Sequence, residues 1–147
     1  MNLNLGPLAQ IAFPVADVDR SEEFYGKTLG LRKIARRHET MVFFDCGGVR
    51  LFLERAKTPA DVAHAPIIHF RCDDISVCKT ELEARGVSFE GPALRITSRP
   101  TYDLWSAYFR DPDGHVLALE MHAPKGWKPS LRPSTRALAR PAQDDEF

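Results

Sequence analysis

Apolar and polar residues alternate along this chain in a pattern that occurs twice. Ile11, Phe13 and Val15 are spaced by single residues in "IAFPV", and Ile68, Phe70 and Cys72 recur likewise in "IIHFRC". A period of two is that of a strand with one face buried. Each run leads to an aspartate, Asp17 or Asp74, placed to cap a helix by accepting its unpaired N–H groups. Helical spacing follows, through Val18, Ser21, Tyr25 and Leu29 in one copy and Ile75, Cys78 and Leu82 in the other. Gly30 and Gly86 stand where each helix must stop, because the turn out of it calls for a left-handed residue.

The repeat continues. "MVFFDCGGVRLFLE" matches "SAYFRDPDGHVLALE": an aromatic strand, a glycine turn, an apolar strand, then a glutamate. Gly48 aligns with Gly114, Leu51 with Leu117, Leu53 with Leu119 and Glu54 with Glu120. Asp-Gly between apolar runs signals a hairpin, since glycine supplies the positive φ that the turn needs. Each half therefore reads β-α-β-β-β, an α+β plan. A helix covering one sheet face in each half leaves the other faces to enclose a cavity. The expected boundaries are one domain over 1–123, with modules at about 8–57 and 65–123.

Composition narrows the classes. At 147 residues the chain is long enough for one domain with a real core. Its formal net charge of +0 gives no electrostatic reason to expect nucleic acid or an anionic membrane. No apolar run nears the ~20 residues that cross a bilayer. "MNLNLGPLAQ" lacks the basic and apolar regions of a secretory signal. Cys46, Cys72 and Cys78 make no C-x-x-C pair and read as reduced, semi-buried residues of a cytoplasmic protein. Residues 124–147 are rich in proline and arginine and read as a poorly ordered tail, pinned at its start by Trp127 and Leu131.

"PVADVDRSEEFYGKTLGL", "FFDCGGVRLFL", "CDDISVCKTELEARGV" and "FRDPDGHVLALE" together span most of residues 8–123. In combination they resemble the vicinal oxygen chelate superfamily of glyoxalases, extradiol dioxygenases and fosfomycin and bleomycin resistance proteins. The resemblance implies two βαβββ modules in a pseudo-twofold arrangement around a cavity, and a homodimer. It does not name a reaction. It also implies where a metal would be held in the metal-dependent members. One ligand lies seven residues before each capping aspartate, and another four residues after each turn glycine. Here those places hold Gln10, Ile67, Phe52 and Ala118. Only Gln10 has a donor, a neutral amide.

Glu54, His69 and Glu120 stand two residues beyond the expected places, on the same strand faces as Phe52, Ile67 and Ala118. A two-residue shift moves the anchor by roughly 6–7 Å. Metal bonds of ~2.0–2.6 Å tolerate only tenths of an ångström. Gln10, Glu54, His69 and Glu120 are thus weak metal candidates. Glu120 has three readings: metal ligand, general base with a pKa raised by desolvation, or a solvated strand end. His69 and Arg71 point the same way. They suit a carboxylate or enolate, with Arg71 as clamp and His69 as proton carrier, or else a structural imidazole and a solvated arginine. The stretch "RITSRPTYDLWSAYF" reads as a loop whose Trp105 and Tyr108 lie between arginines and can cover an apolar, anionic ligand, with Trp105 in the core as the plainer alternative. His38 and His64 read as surface residues, His115 as a turn residue, and His122 as facing opposite to Glu120.

The expected function is a glyoxalase/bleomycin-resistance-like protein that binds a small organic molecule, anionic or neutral, without the usual metal. His69 and Glu120 are its candidate proton-transfer residues. Gln10, Phe52, Ile67, Arg71, Trp105, Tyr108 and Ala118 are its candidate binding residues. The alternative is a lyase, epimerase or dioxygenase with relocated ligands for Mn, Fe, Ni or Zn. A non-catalytic interaction module is a third class, favoured only by the tail. Phe52, Ile67 and Ala118 argue against the metalloenzyme, because apolar residues replace three donors.

Overall fold

Strand alternation and two aspartate caps set the architecture. The structure, a computed structural model, describes residues 3–5, 7–63 and 65–129. His64, and the tail from residue 130 with Leu131, lie outside the described residues. The chain divides between Pro66 and Ile67 into two compact units.

In the first unit, β1 (Gln10–Val15) leads into α1 (Val18–Glu23), which continues as a π-helical turn over Phe24–Thr28. Then come β2 (Arg32–Arg37), β3 (Met41–Cys46) and β4 (Val49–Arg55). The sheet order is β1-β4-β3-β2, with β1 parallel to β4 and the other pairs antiparallel. The Asp17 carboxylate accepts the Arg20 N–H at 3.1 Å, as the cap requires. The π turn was not legible from spacing, because it leaves the helical phase through Tyr25 intact. Its signature is the Leu29 N–H donating to the Phe24 carbonyl, five residues back.

The second unit has the same order. It runs β5 (Ile68–Arg71), α2 (Ile75–Ala84), β6 (Leu94–Ser98), β7 (Asp103–Arg110) and β8 (Val116–Ala123), with sheet order β5-β8-β7-β6. Asp74 caps α2 by accepting N–H bonds from Ser76 and Val77. The Met121 sulfur accepts the Ile75 N–H, so the first turn of the helix is also fastened to β8.

Each sheet buries one face under its helix. Phe13, Val15, Val42, Phe44, Leu51 and Leu53 pack there with Tyr25 in the first unit. Phe109, Leu117, Leu119 and Met121 pack with Ile75 and Leu82 in the second. Both β2 and β6 carry a register shift at the same relative place, after Lys33 and after Arg95. Ile34 and Ile96, at those bulges, are 42% and 49% exposed. A bulge interrupts the ladder and re-aims the extra residue.

One expectation fails at this level. The stretch from Arg95 to Phe109 is not a covering loop but the hairpin of β6 and β7, with its turn at residues 99–102. Within it, Trp105 pairs with Met121 on the helix-bearing side and packs edge-on against Trp127. No helix among the described residues is long and apolar enough to cross a membrane.

Candidate functional site

The face that each helix leaves uncovered can be read row by row from the strand register. In the second unit, His69, Ala118 and Tyr108 lie side by side on β5, β8 and β7. The next row is Arg71, Glu120 and Ser106, and beyond it His122 stands beside Leu104. His122 therefore shares the face of Glu120, contrary to the sequence expectation. Residues two apart in an unbroken strand must do so.

Glu120 sits between two imidazoles. His69 Nδ1 lies 3.4 Å from Glu120 Oε1, and His122 Nε2 lies 3.1 Å from Glu120 Oε2. Each carboxylate oxygen thus has its own histidine. The histidines are positioned in turn by aromatic rings. Tyr102 stacks on His122 at 4.2 Å and 8°, and Tyr108 meets His69 edge-on at 6.1 Å. Sequence inspection placed His122 on the wrong face, although strand alternation was signal enough to place it, and offered Tyr102 only as one of the aromatics of a covering loop. Arg71 is opposite Glu120 in register and exposed. Ile67, just before β5, is 55% exposed on the same side.

The family's metal positions do not fit a metal here. Ala118 is 0% exposed, and its two cross-strand neighbours are His69 and Tyr108, whose rings meet each other. A methyl group under two rings has no donor and no room for one. In the first unit the equivalent row is Ala12, Phe52 and Phe43, with the two phenyl rings stacked at 4.5 Å and 9°. Gln10 is exposed at the start of β1, beside Arg50. Glu54 is exposed and lines a hollow of about 290 Å³ with Arg55, Lys57 and Asp61, within the first unit.

Among the described residues, one group of three has donors converging closely enough for a metal ion: Asp111, Asp113 and His115, within 4.8 Å of one another in the β7–β8 turn. The expectation of no cofactor did not foresee it. Asp111 Oδ1 there already accepts the N–H groups of Asp113 and His115, both at 2.9 Å. The Asp111 carboxylate thus shapes the turn through one of its two oxygens.

Residues 8–119 match the family profile of the glyoxalase/bleomycin resistance protein/dioxygenase superfamily. The chain belongs to that superfamily. Solved structures share its fold. A lactoylglutathione lyase from Agrobacterium tumefaciens is 26% identical, over 80% of this chain and 94% of that one, with a TM-score of 0.61. An antibiotic binding protein from a Streptomyces species is 24% identical, over 83% and 100%, with a TM-score of 0.63. A protein from the mobile metagenome of V. Pseudocholerae is 21% identical, over 84% and 99%, with a TM-score of 0.67. A lyase and a binding protein thus stand on the same fold, so the chemistry must be sought in the residues of the site.

Proposed function

We propose that the open face of the second unit binds a small organic anion and that Glu120 and His69 move a proton on it, with no metal at the superfamily's ligand positions. The observation that carries this reading is the Glu120 carboxylate set between His69 and His122 beside the buried Ala118 methyl. A carboxylate contacting one imidazole through each oxygen can take a proton from a carbon acid and pass it to a histidine. Arg71 offers the planar, two-pronged donor that a ligand carboxylate accepts. Ile67 and Tyr108 supply apolar contact for the rest of the ligand.

Trp105, on the helix side of the sheet, has no part in this surface. Gln10 and Phe52 belong to the first unit's own open face, where we propose a mainly apolar binding role. A cytoplasmic homodimer accompanies the proposal, and light scattering at several concentrations reads the oligomeric state.

The test begins with metal content after purification without chelator. Well under one metal per chain is expected, and near-stoichiometric Mn, Fe, Ni or Zn overturns the metal-free reading. Carbonyl-activated organic acids and lactoyl thioesters, suggested by the lyase among the similar structures, are then incubated in D2O and followed by proton NMR. Exchange of the carbon-bound proton reads the transfer before any product is known. Glu120→Gln and His69→Ala should each slow exchange by roughly 10²–10⁴-fold. Unchanged exchange in both, with folding intact, removes those roles.

The second reading is a divalent metal held by Asp111, Asp113 and His115, favoured by the convergence of their donors. An Asp113→Ala variant that loses bound metal while Glu120→Gln keeps it would establish that reading.

A further inference from the structure

The first unit carries two adjoining hollows beside its edge strand β1, on residues that the Glu120 surface does not use. The hollow of about 290 Å³ already described holds Ala12, Pro14, Glu54, Arg55, Lys57 and Asp61 in its lining. A second, of about 360 Å³, is lined by Ala16, Ala56, Lys57, Thr58, Pro59 and Val62. Ala56 and Lys57 line both, so the two hollows meet there. The backbone around the junction is fixed. The Ala56 N–H donates to the Val15 carbonyl at 2.8 Å and fastens the exit of β4 to β1. Pro59 and Val62 belong to a 3-10 helix, Pro59–Ala63. That helix is held at its start by a reciprocal pair. The Thr58 N–H donates to Asp61 Oδ2 at 3.2 Å, and the Asp61 N–H donates to the Thr58 carbonyl at 3.1 Å.

Charge is sorted along this trough. Lys57 is the one charged residue in the lining of the second hollow, where alanine, proline and valine supply most of the surface. Glu54 and Asp61 line only the first. Glu54 and Lys57 carry opposite charges in one hollow, yet among the described residues neither side chain makes a hydrogen bond or ion pair. Each can therefore pair with a ligand. We propose that the trough binds a free α-amino acid with an apolar side chain. Lys57 takes the carboxylate, with the Arg55 guanidinium as a second donor, and Glu54 takes the ammonium group. The side chain lies in the second hollow against Ala56, Pro59 and Val62. An acid and a base in one small hollow call for both charges on one carbon, which a peptide would separate. Hollows near ~300 Å³ stand at the lower end of small-molecule sites, so the ligand is small.

The experiment titrates the isotope-labelled full chain with L-leucine and follows the backbone amide signals by NMR. Saturable shifts are expected at Ala12, Ala16, Ala56 and Val62. Leucinamide lacks the carboxylate, isocaproate lacks the ammonium group and glycine lacks the side chain, so each should bind at least several-fold more weakly. Lys57→Gln and Glu54→Gln should each weaken leucine binding roughly 2- to 5-fold, the range of ion pairs open to water. Both side chains are exposed, so the variants should fold, and the wild-type analogue series decides alone if one does not. No shift at the solubility limit of leucine, shifts confined to other residues, or equal binding of any of the three analogues would each overturn the proposal. None of these readouts depends on turnover, so they stand apart from the fate of the Glu120 and His69 roles.

Discussion

At the hairpin between β2 and β3, His38 and Glu39 both have positive φ, 55° and 63°. Neither is a glycine, and Glu39 in particular is disfavoured there, since only Gly, Asn, Asp and His enter that region readily. His38 and Glu39 are the two central residues of the turn closed by the Thr40 N–H donating to the Arg37 carbonyl, and positive φ at both is what a type I′ turn demands, so the connection imposes the strain. Glu39→Gly is expected to raise stability by about 1 kcal/mol, read as a shifted urea midpoint at unchanged slope. At Ala118 the opposite change is instructive. Ala118→Glu would restore a donor at a superfamily metal position, yet the site is closed by His69 and Tyr108. The added volume and buried charge should cost roughly 3 kcal/mol or more, and calorimetric titration with Mn or Zn should reveal no new site. That Phe52, Ile67 and Ala118 stand at three of the superfamily's ligand positions is read from the sequence by counting from Gly48, Asp74 and Gly114. The partnership of Glu120 with His122 needed only strand alternation, but its closeness depends on a Tyr102 ring whose position no spacing reveals.

The β6–β7 hairpin is where the local pattern misleads. Leu94, Arg95 and Ile96 are all exposed on an edge strand, and the bulge breaks the alternation that would have marked it. A polar group under its turn holds it instead. Asp103, 1% exposed, accepts Ser98 Oγ at 2.6 Å and the Gly126 N–H at 3.0 Å, with Lys125 Nζ at 3.2 Å. The Ser98 bond first, then the Gly126 bond, outweigh burial and bring its pKa down to about 2. The unfolded value is about 3.9, so this stabilisation is complete above that pH and is lost as pH falls through 2. Asp103→Asn should therefore lower the urea midpoint at pH 7, and the gap to the wild type should close between about pH 4 and 2. The same contacts fasten residues 125–127 beside the hairpin, and Trp127 against Trp105 completes them. Trp127 as the pin for the start of the tail was legible because an aromatic stands out in a polar, proline-rich stretch.

Across the whole molecule the internal repeat was the most legible feature, since both copies keep strand periods, helix caps and turn glycines in the same order. If the protein works without a resident metal, excess EDTA should leave the thermal midpoint unchanged. A metal bound at Asp111, Asp113 and His115 would instead make the midpoint fall on chelation, since a ligand selective for the folded state stabilises it. The two copies also differ in a systematic way. Where the second carries His69, Ala118 and Tyr108 across three strands, the first carries Ala12, Phe52 and Phe43. Large and small side chains have exchanged places on the same backbone frame. Such a pair is the outcome expected of an ancestral gene that doubled and then let its halves drift apart under different selection. One copy carries ionisable groups around a small central residue, and the other a stacked aromatic pair in the same row.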